Sequence, residues 1–147
     1  MTSTSMKSIA IAILYREDKF LVQLRDNIPT IVHPGVWALF GGHLEGEESP
    51  DDAVKREIEE EICYCLPPET RLFKSYEYPH VIRHVYVAPL NVGLEQLNLQ
   101  EGWDFDLVSP ETIVKGCHYS SRAGETRDFA QPHQQILLDF LASSDNQ

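Results

Sequence analysis

Residues 41–64 read GGHLEGEESPDDAVKREIEEEICY, and both the fold and the chemistry of the chain turn on this stretch. Ser49 is a good helix N-cap, Pro50 suits the first helical position, and Asp51 and Asp52 fall at the positive end of the helix dipole. Asp52, three residues after Ser49, makes a variant of the capping box. The spacing predicts a helix over residues 49–62, with Pro67-Pro68 blocking any continuation. Val54, Ile58 and Ile62 recur every four residues as an apolar stripe. Glu57, Glu60 and Glu61 stand at i, i+3 and i+4, so a period of about 3.6 residues gathers them within about 100° of arc. Burying the stripe would pin the helix and thereby aim the carboxylates.

Three carboxylates on adjacent turns repel one another, and a divalent cation reverses the sign of that interaction. Their hard oxygens suit magnesium or manganese, which accept phosphate oxygens in their remaining positions. A solvated acidic face, cushioned by Lys55 and Arg56, has the same spacing and is the commoner reason for it. Gly41-Gly42 adds weight to the metal reading, since glycine lets backbone approach a ligand closely and offers a carbonyl.

The flanking sequence sets the frame. With 147 residues the chain has the length of one domain, taken as 1–147, with the small polar residues 1–6 expected to fray. Hydrophobic residues make up 42% and charged residues 24%, which argues against disorder. Twelve Lys and Arg against 23 Asp and Glu leave a net charge of −11, so broad nucleic-acid binding is excluded, while a phosphorylated small molecule remains open if a cation intervenes. No membrane span or signal peptide is visible, so no membrane partner is expected and the cytoplasm is the default compartment. Cys63, Cys65 and Cys117 are too few and too irregular for a disulfide framework or a zinc site and read as partly buried free thiols.

Strands are expected over 8–15, 19–25, 37–40, 71–78, 81–90 and 103–108, the first two forming a hairpin. Residues 26–36 and 91–102 read as polar loops. Ser109-Pro110-Glu111 opens a short helix, and Ile136, Leu137, Phe140 and Leu141 mark a last amphipathic helix over 132–141. The order predicts an α/β (or α+β) class with a mixed sheet and about three helices.

Gly42, five residues, Glu48, seven residues, then Arg56-Glu57-Ile58-Glu59-Glu60-Glu61 resembles the Nudix box of the Nudix hydrolases. Trp37 before the glycines, and the Trp103 segment with Ser-Pro-Glu after it, extend the likeness over most of the chain. Cys63 and Tyr64 depart from it, standing where the box has glycine and an aliphatic residue. Glycine there would permit a left-handed helix cap, which cysteine makes less easy.

The resemblance implies a Nudix-like α/β/α sandwich and magnesium-dependent (or manganese-dependent) hydrolysis of a nucleoside diphosphate linked to another moiety. The substrate would be ADP-ribose-like, a nucleotide-sugar, or an (oxidised) nucleoside triphosphate, with a metal-activated water attacking a diphosphate phosphorus. Carried over by position, Glu57, Glu60 and Glu61 would be metal ligands, with a carbonyl from the Gly42 region. Glu60 or Glu61 would also take the water's proton. Arg56, paired with Glu48, would orient a box carboxylate. Glu101 is the candidate for a further acid from outside the box, ahead of Glu95, and Glu45 reads as loop-side support. Arg25, His33, Trp37, Tyr76, Tyr78, Arg83 and Trp103 are candidates for contact with base, sugar or phosphate, although sheet core is the commoner role for residues such as Trp37 and Tyr76. His80, His84, His118 and His133 read as scattered surface or core histidines. Family members often form dimers, so a homodimer is among the implied partners.

Two other functions fit the same frame. A non-catalytic nucleotide-binding regulator would be free to lose the box carboxylates, and all are present. Isoprenoid-diphosphate isomerisation would need a cysteine–glutamate pair, for which Cys63 and Cys65 lie at the wrong end of the helix.

Overall fold

A computed structural model describes residues 6–31 and 33–143. Residues 1–5, where fraying was expected, lie outside the described residues, and Met6 is exposed. The fold is organised around β1 (Lys7–Arg16), whose side chains alternate between two cores. Ala10, Ala12 and Leu14 face one side, and Ile11 and Ile13 the other, as the two-residue period of a doubly covered strand requires. β1 pairs antiparallel with β2 (Lys19–Leu24) only at Tyr15–Phe20 and Arg16–Lys19. Its earlier residues pair instead with β4 (Phe40–His43), which follows the short β3 (Trp37–Ala38). Two strands therefore share one edge of β1 and part from each other beyond it.

On its other edge β1 runs parallel to β6 (Val81–Pro89), which pairs antiparallel with β5 (Arg71–Tyr78). β7 (Asp104–Val108) closes against β2. The sheet is mixed, as expected.

The helix after β4, α1 (Pro50–Ile62), starts where the capping residues put it: Ser49 Oγ accepts from the Asp52 amide at 3.1 Å. Its Val54, Ile58 and Ile62 are buried against Ala10, Ala12 and Phe40. Across the sheet, α2 (Pro110–Lys115) and α3 (Gln131–Ala142) cover the second core through Ile113, Ile136, Leu137 and Phe140. The result is an α/β/α sandwich. No helix among the described residues is long and apolar enough to cross a membrane.

Several local expectations are corrected. Residues 91–102 are not simply a polar loop: a 3₁₀ turn (Leu94–Gln96) leads to Leu97, which is buried against the α1 side. A hairpin of β8 (Cys117–Ser120) and β9 (Glu125–Asp128) was not anticipated, because its strands are short and largely polar. Cys63 and Cys65 are exposed rather than partly buried, and Cys117 is half-buried; all are free thiols. Cys63 takes the left-handed conformation (φ 58°, ψ 38°) that glycine would adopt without strain, and its amide donates to the Glu59 carbonyl at 2.9 Å.

Candidate active site

One arginine reaches two acids of α1 and two of the loop before it. Arg56 Nε donates to Glu48 Oε2 at 2.7 Å and Nη2 to Glu48 Oε1 at 2.9 Å, a bidentate pair that ties the helix to the loop before it. The same Nη2 donates to the His43 carbonyl at 3.1 Å. Nη1 turns to Glu60 at 3.1 Å, Glu57 at 3.4 Å and Glu45 at 3.5 Å. These bonds hold Glu48 below the usual carboxylate range, and the Glu48 bonds raise Arg56 above its ordinary value.

The two glycines meet the acids differently. A Cβ on Gly42 would run into the Glu57 carboxylate, so the missing side chain is the cradle in which that carboxylate lies. A Cβ on Gly41 would collide with the Ala10 carbonyl, and its φ of +152° is one that L residues rarely adopt. The Gly41 amide donates to Glu61 Oε1 at 2.9 Å. Burial pushes Glu61 up to about 8, with Glu57 and Glu101 adding to the rise and the Gly41 amide and Arg25 opposing it. Burial likewise raises Glu57, against the pull of Arg56.

Glu101 reaches this group by way of backbone bonds. The amides of Asn98 and Gln100 donate to the carbonyls of Ile62 and Glu61 at 3.1 and 2.9 Å, docking the loop on the last turn of α1. Glu101 and Glu61 line one cleft with Gln23 and Arg25. Glu95 sits on the 3₁₀ turn with its carboxylate against Gly93 and does not line that cleft.

Glu57, Glu60, Glu61 and Glu101 offer the hard oxygen donors that magnesium and manganese take, and Glu57 and Glu101 both raise Glu61. Among the described residues no three of the His, Cys, Asp and Glu side chains already form a cage. Arg56 engages Glu57 and Glu60, and the Gly41 amide engages Glu61. The donor chemistry and the Gly42 cradle fit a divalent ion.

On the other side of Gly41 and Gly42 a cavity of about 340 Å³ opens between β1, β4, β6 and α3. Arg25 lines both this cavity and the acid cleft. Arg83 and His33 line the cavity as well, and the Arg83 guanidinium lies 4.9 Å from the Tyr78 ring centre.

Trp37 and Tyr76 are not placed for substrate contact. Trp37 is 0% exposed, its indole donating to the His118 carbonyl at 3.0 Å. Tyr76 packs toward α3, its hydroxyl donating to Asp139 at 2.7 Å. Trp103 is half-buried beneath Arg127, 5.7 Å from its ring centre.

Of the scattered histidines, His133 is a core one. It is buried on the first turns of α3, and its Nδ1 accepts the Leu39 amide at 2.9 Å. Burial first, then His33, Arg83 and Arg25, hold it neutral, down to about 3. Its partner lies 94 residues away, so no local pattern marks it.

Comparison with known proteins agrees with this architecture. A MutT structure from work on Aliivibrio salmonicida and Vibrio cholerae superposes with a TM-score of 0.72 at 19% identity, covering 94% of this chain and 98% of that one. The MutT protein of Methanosarcina mazei gives 0.72 at 20% identity, covering 97% of each chain. A bifunctional NMN adenylyltransferase/ADP ribose pyrophosphatase from Francisella tularensis, complexed with AMP and a manganese ion, gives 0.72 at 23% identity. It is matched over 97% of this chain and 43% of its own length. At these identities the likeness is one of fold. The family model described as NUDIX domain matches residues 5–129, most of the sequence and the whole box with its flanking strands, and the chain belongs to the Nudix family.

Proposed function

We propose that this Nudix pyrophosphohydrolase cleaves the diphosphate of a nucleoside diphosphate linked to another moiety. The observation that carries the reading is the shared wall: acids stand on one side of Gly41-Gly42, a cavity opens on the other, and Arg25 lines both. Glu57, Glu60 and Glu61, with Glu101 from the docked loop and a carbonyl of the Gly41-Gly42 segment, would hold magnesium or manganese. When bound, such an ion neutralises diphosphate oxygens and acidifies a water. The AMP and manganese in the similar Francisella chain support that choice of ion and ligand.

The residues of the chain supply the rest. Arg56 keeps Glu57 and Glu60 turned toward one another and fastens the loop through Glu48. Glu60 or Glu61 accepts the proton of the attacking water. Glu61 is fixed by the Gly41 amide, whereas Glu60 is 59% exposed and paired with Arg56 at 3.1 Å. Arg25 is placed to meet a phosphate passing from the acid cleft to the cavity.

Incubation with magnesium and a panel of ADP-ribose, nucleotide-sugars, and ordinary and oxidised nucleoside triphosphates tests the reading. Product release from one class is expected. Binding without turnover across the panel would overturn it in favour of a nucleotide-binding regulator.

A further inference from the structure

β2 carries one polar side chain into the interior. Every residue from Phe20 to Leu24 is buried, and all but Gln23 are apolar. The alternation of a strand puts Leu21, Gln23 and Arg25 on the α1 side, a row that runs from the core out to the acid cleft. Gln23 is 5% exposed and lies between Ala38 on β3 and Phe105 on β7, whose side chains offer its carboxamide no polar partner. Its Nε2 donates to the Leu39 carbonyl at 3.4 Å, a long bond and the only one the carboxamide makes among the described residues. A carbonyl can only accept, so that bond turns the nitrogen toward the strand leading into Gly41-Gly42 and the oxygen away from it. Oε1 lies beside the Glu101-Gly102 turn, 3.4 Å from where a Gly102 Cβ would stand. Gln23, Glu61 and Glu101 line the same cleft.

A buried amide oxygen without a partner is costly, and an apolar residue of the same size would fill this place without that cost. The oxygen therefore calls for a donor in the cleft. As ligands to an ion, Glu61 and Glu101 only accept, whereas magnesium and manganese keep several waters, which donate. We propose that Gln23 is a positioning residue of the metal centre, its Oε1 accepting a hydrogen bond from a water of the ion's shell while its Nε2–H holds the strand that carries Gly41-Gly42. The inference rests on the hydrolase reading for the presence of an ion, and assigns the group that orients the water on the β2 side. A neutral amide suits the place. A carboxylate there would repel the Leu39 carbonyl and crowd Glu61 and Glu101 with a further negative charge.

Gln23→Met keeps the length and volume of the side chain and removes both polar groups. Manganese binding, read without substrate from the paramagnetic resonance of the free ion, should weaken about tenfold. Tm by calorimetry should shift by less than about 3 °C. With a diphosphate that is cleaved, kcat should fall about tenfold and KM change by less than about threefold, since the water is oriented for reaction and not for substrate binding. A role in packing alone would instead lower Tm and leave manganese affinity and the kcat–KM split untouched.

If Gln23→Met does not fold, the wild-type protein decides. The side-chain ¹³C carbonyl resonance of Gln23 should move on addition of magnesium, while those of Gln134 and Gln135 on α3 should stay in place. Manganese affinity of the variant equal to that of wild type, a Gln23 carbonyl indifferent to magnesium, or no manganese binding by the wild type at millimolar concentration overturns the inference. Turnover is read separately. Weakened manganese binding with no diphosphate cleaved sinks only the hydrolase reading, and cleavage with unchanged manganese binding sinks only this inference.

Discussion

The two sides of Gly41-Gly42 are built in opposite ways. On the α1 side, three of the four candidate ligands come from one helix and share its period, and the fourth arrives on a loop bonded to that helix. On the cavity side, Lys7, Arg25, His33, Arg83 and His133 come from two strands, the end of a third, a loop and a helix. The acids depend on local geometry, and the cavity depends on the whole topology. Chemistry held by one rigid helix should tolerate little change within it, whereas a cavity assembled from many elements can be altered one residue at a time.

Substitutions in the shared wall break this comparison most severely. Gly41→Ala drives a methyl group into the Ala10 carbonyl at a strained φ and should lower Tm by about 10 °C or more, read by calorimetry. Next come the acids: Glu60→Gln and Glu61→Gln should each lose at least about 100-fold in turnover while circular dichroism stays native. Wild-type rates in both variants would remove the metal-site reading. Gly42→Ala meets only the mobile end of Glu57, so it should cut turnover about tenfold or more with little change in Tm. A large fall in Tm would show that Gly42 serves the fold instead.

Smaller effects sharpen the picture. Arg56 holds Glu48 below its ordinary 4.5, so the stability from that pair is fully present above pH 4.5 and is lost as pH falls through the lower folded value. The Tm gap between wild type and Glu48→Gln should therefore be full at neutral pH and close in stronger acid; a gap independent of pH would mean the pair adds nothing electrostatic. The smallest change is Cys63→Gly. Relief of the left-handed strain should stabilise the fold by ~0.5–1 kcal/mol, a rise of about 2 °C, with turnover unchanged.

The α1 side was almost wholly legible in the sequence. Ser49, Pro50, the Val54-Ile58-Ile62 stripe and the glutamate spacing are local quantities, and the Arg56–Glu48 pair follows from the same register. The left-handed turn at Cys63 was legible from the position alone, even with the unfavourable residue in it. The cavity was legible only in pieces. Arg25 and Arg83 could be named as phosphate-binding types, but nothing local says that Ile9–Arg83 register and a helix from the far end of the chain bring His133 beside them. Trp37 and Tyr76 failed as substrate contacts because an aromatic strand residue reads the same whether its ring meets a ligand or the neighbouring layer. The β8–β9 hairpin escaped because four-residue polar strands have too little periodicity to stand out.

The bonds from the Asn98 and Gln100 amides to the Ile62 and Glu61 carbonyls tie Glu101 to the end of α1. The carbonyls that a helix terminus leaves over are the fasteners of a distant loop, so unravelling the final turn also releases that carboxylate. Amide protons at positions 98 and 100 should then exchange with deuterium in step with those at the end of the helix, as one cooperative unit. Opening of that turn would displace Glu60, Glu61 and Glu101 together.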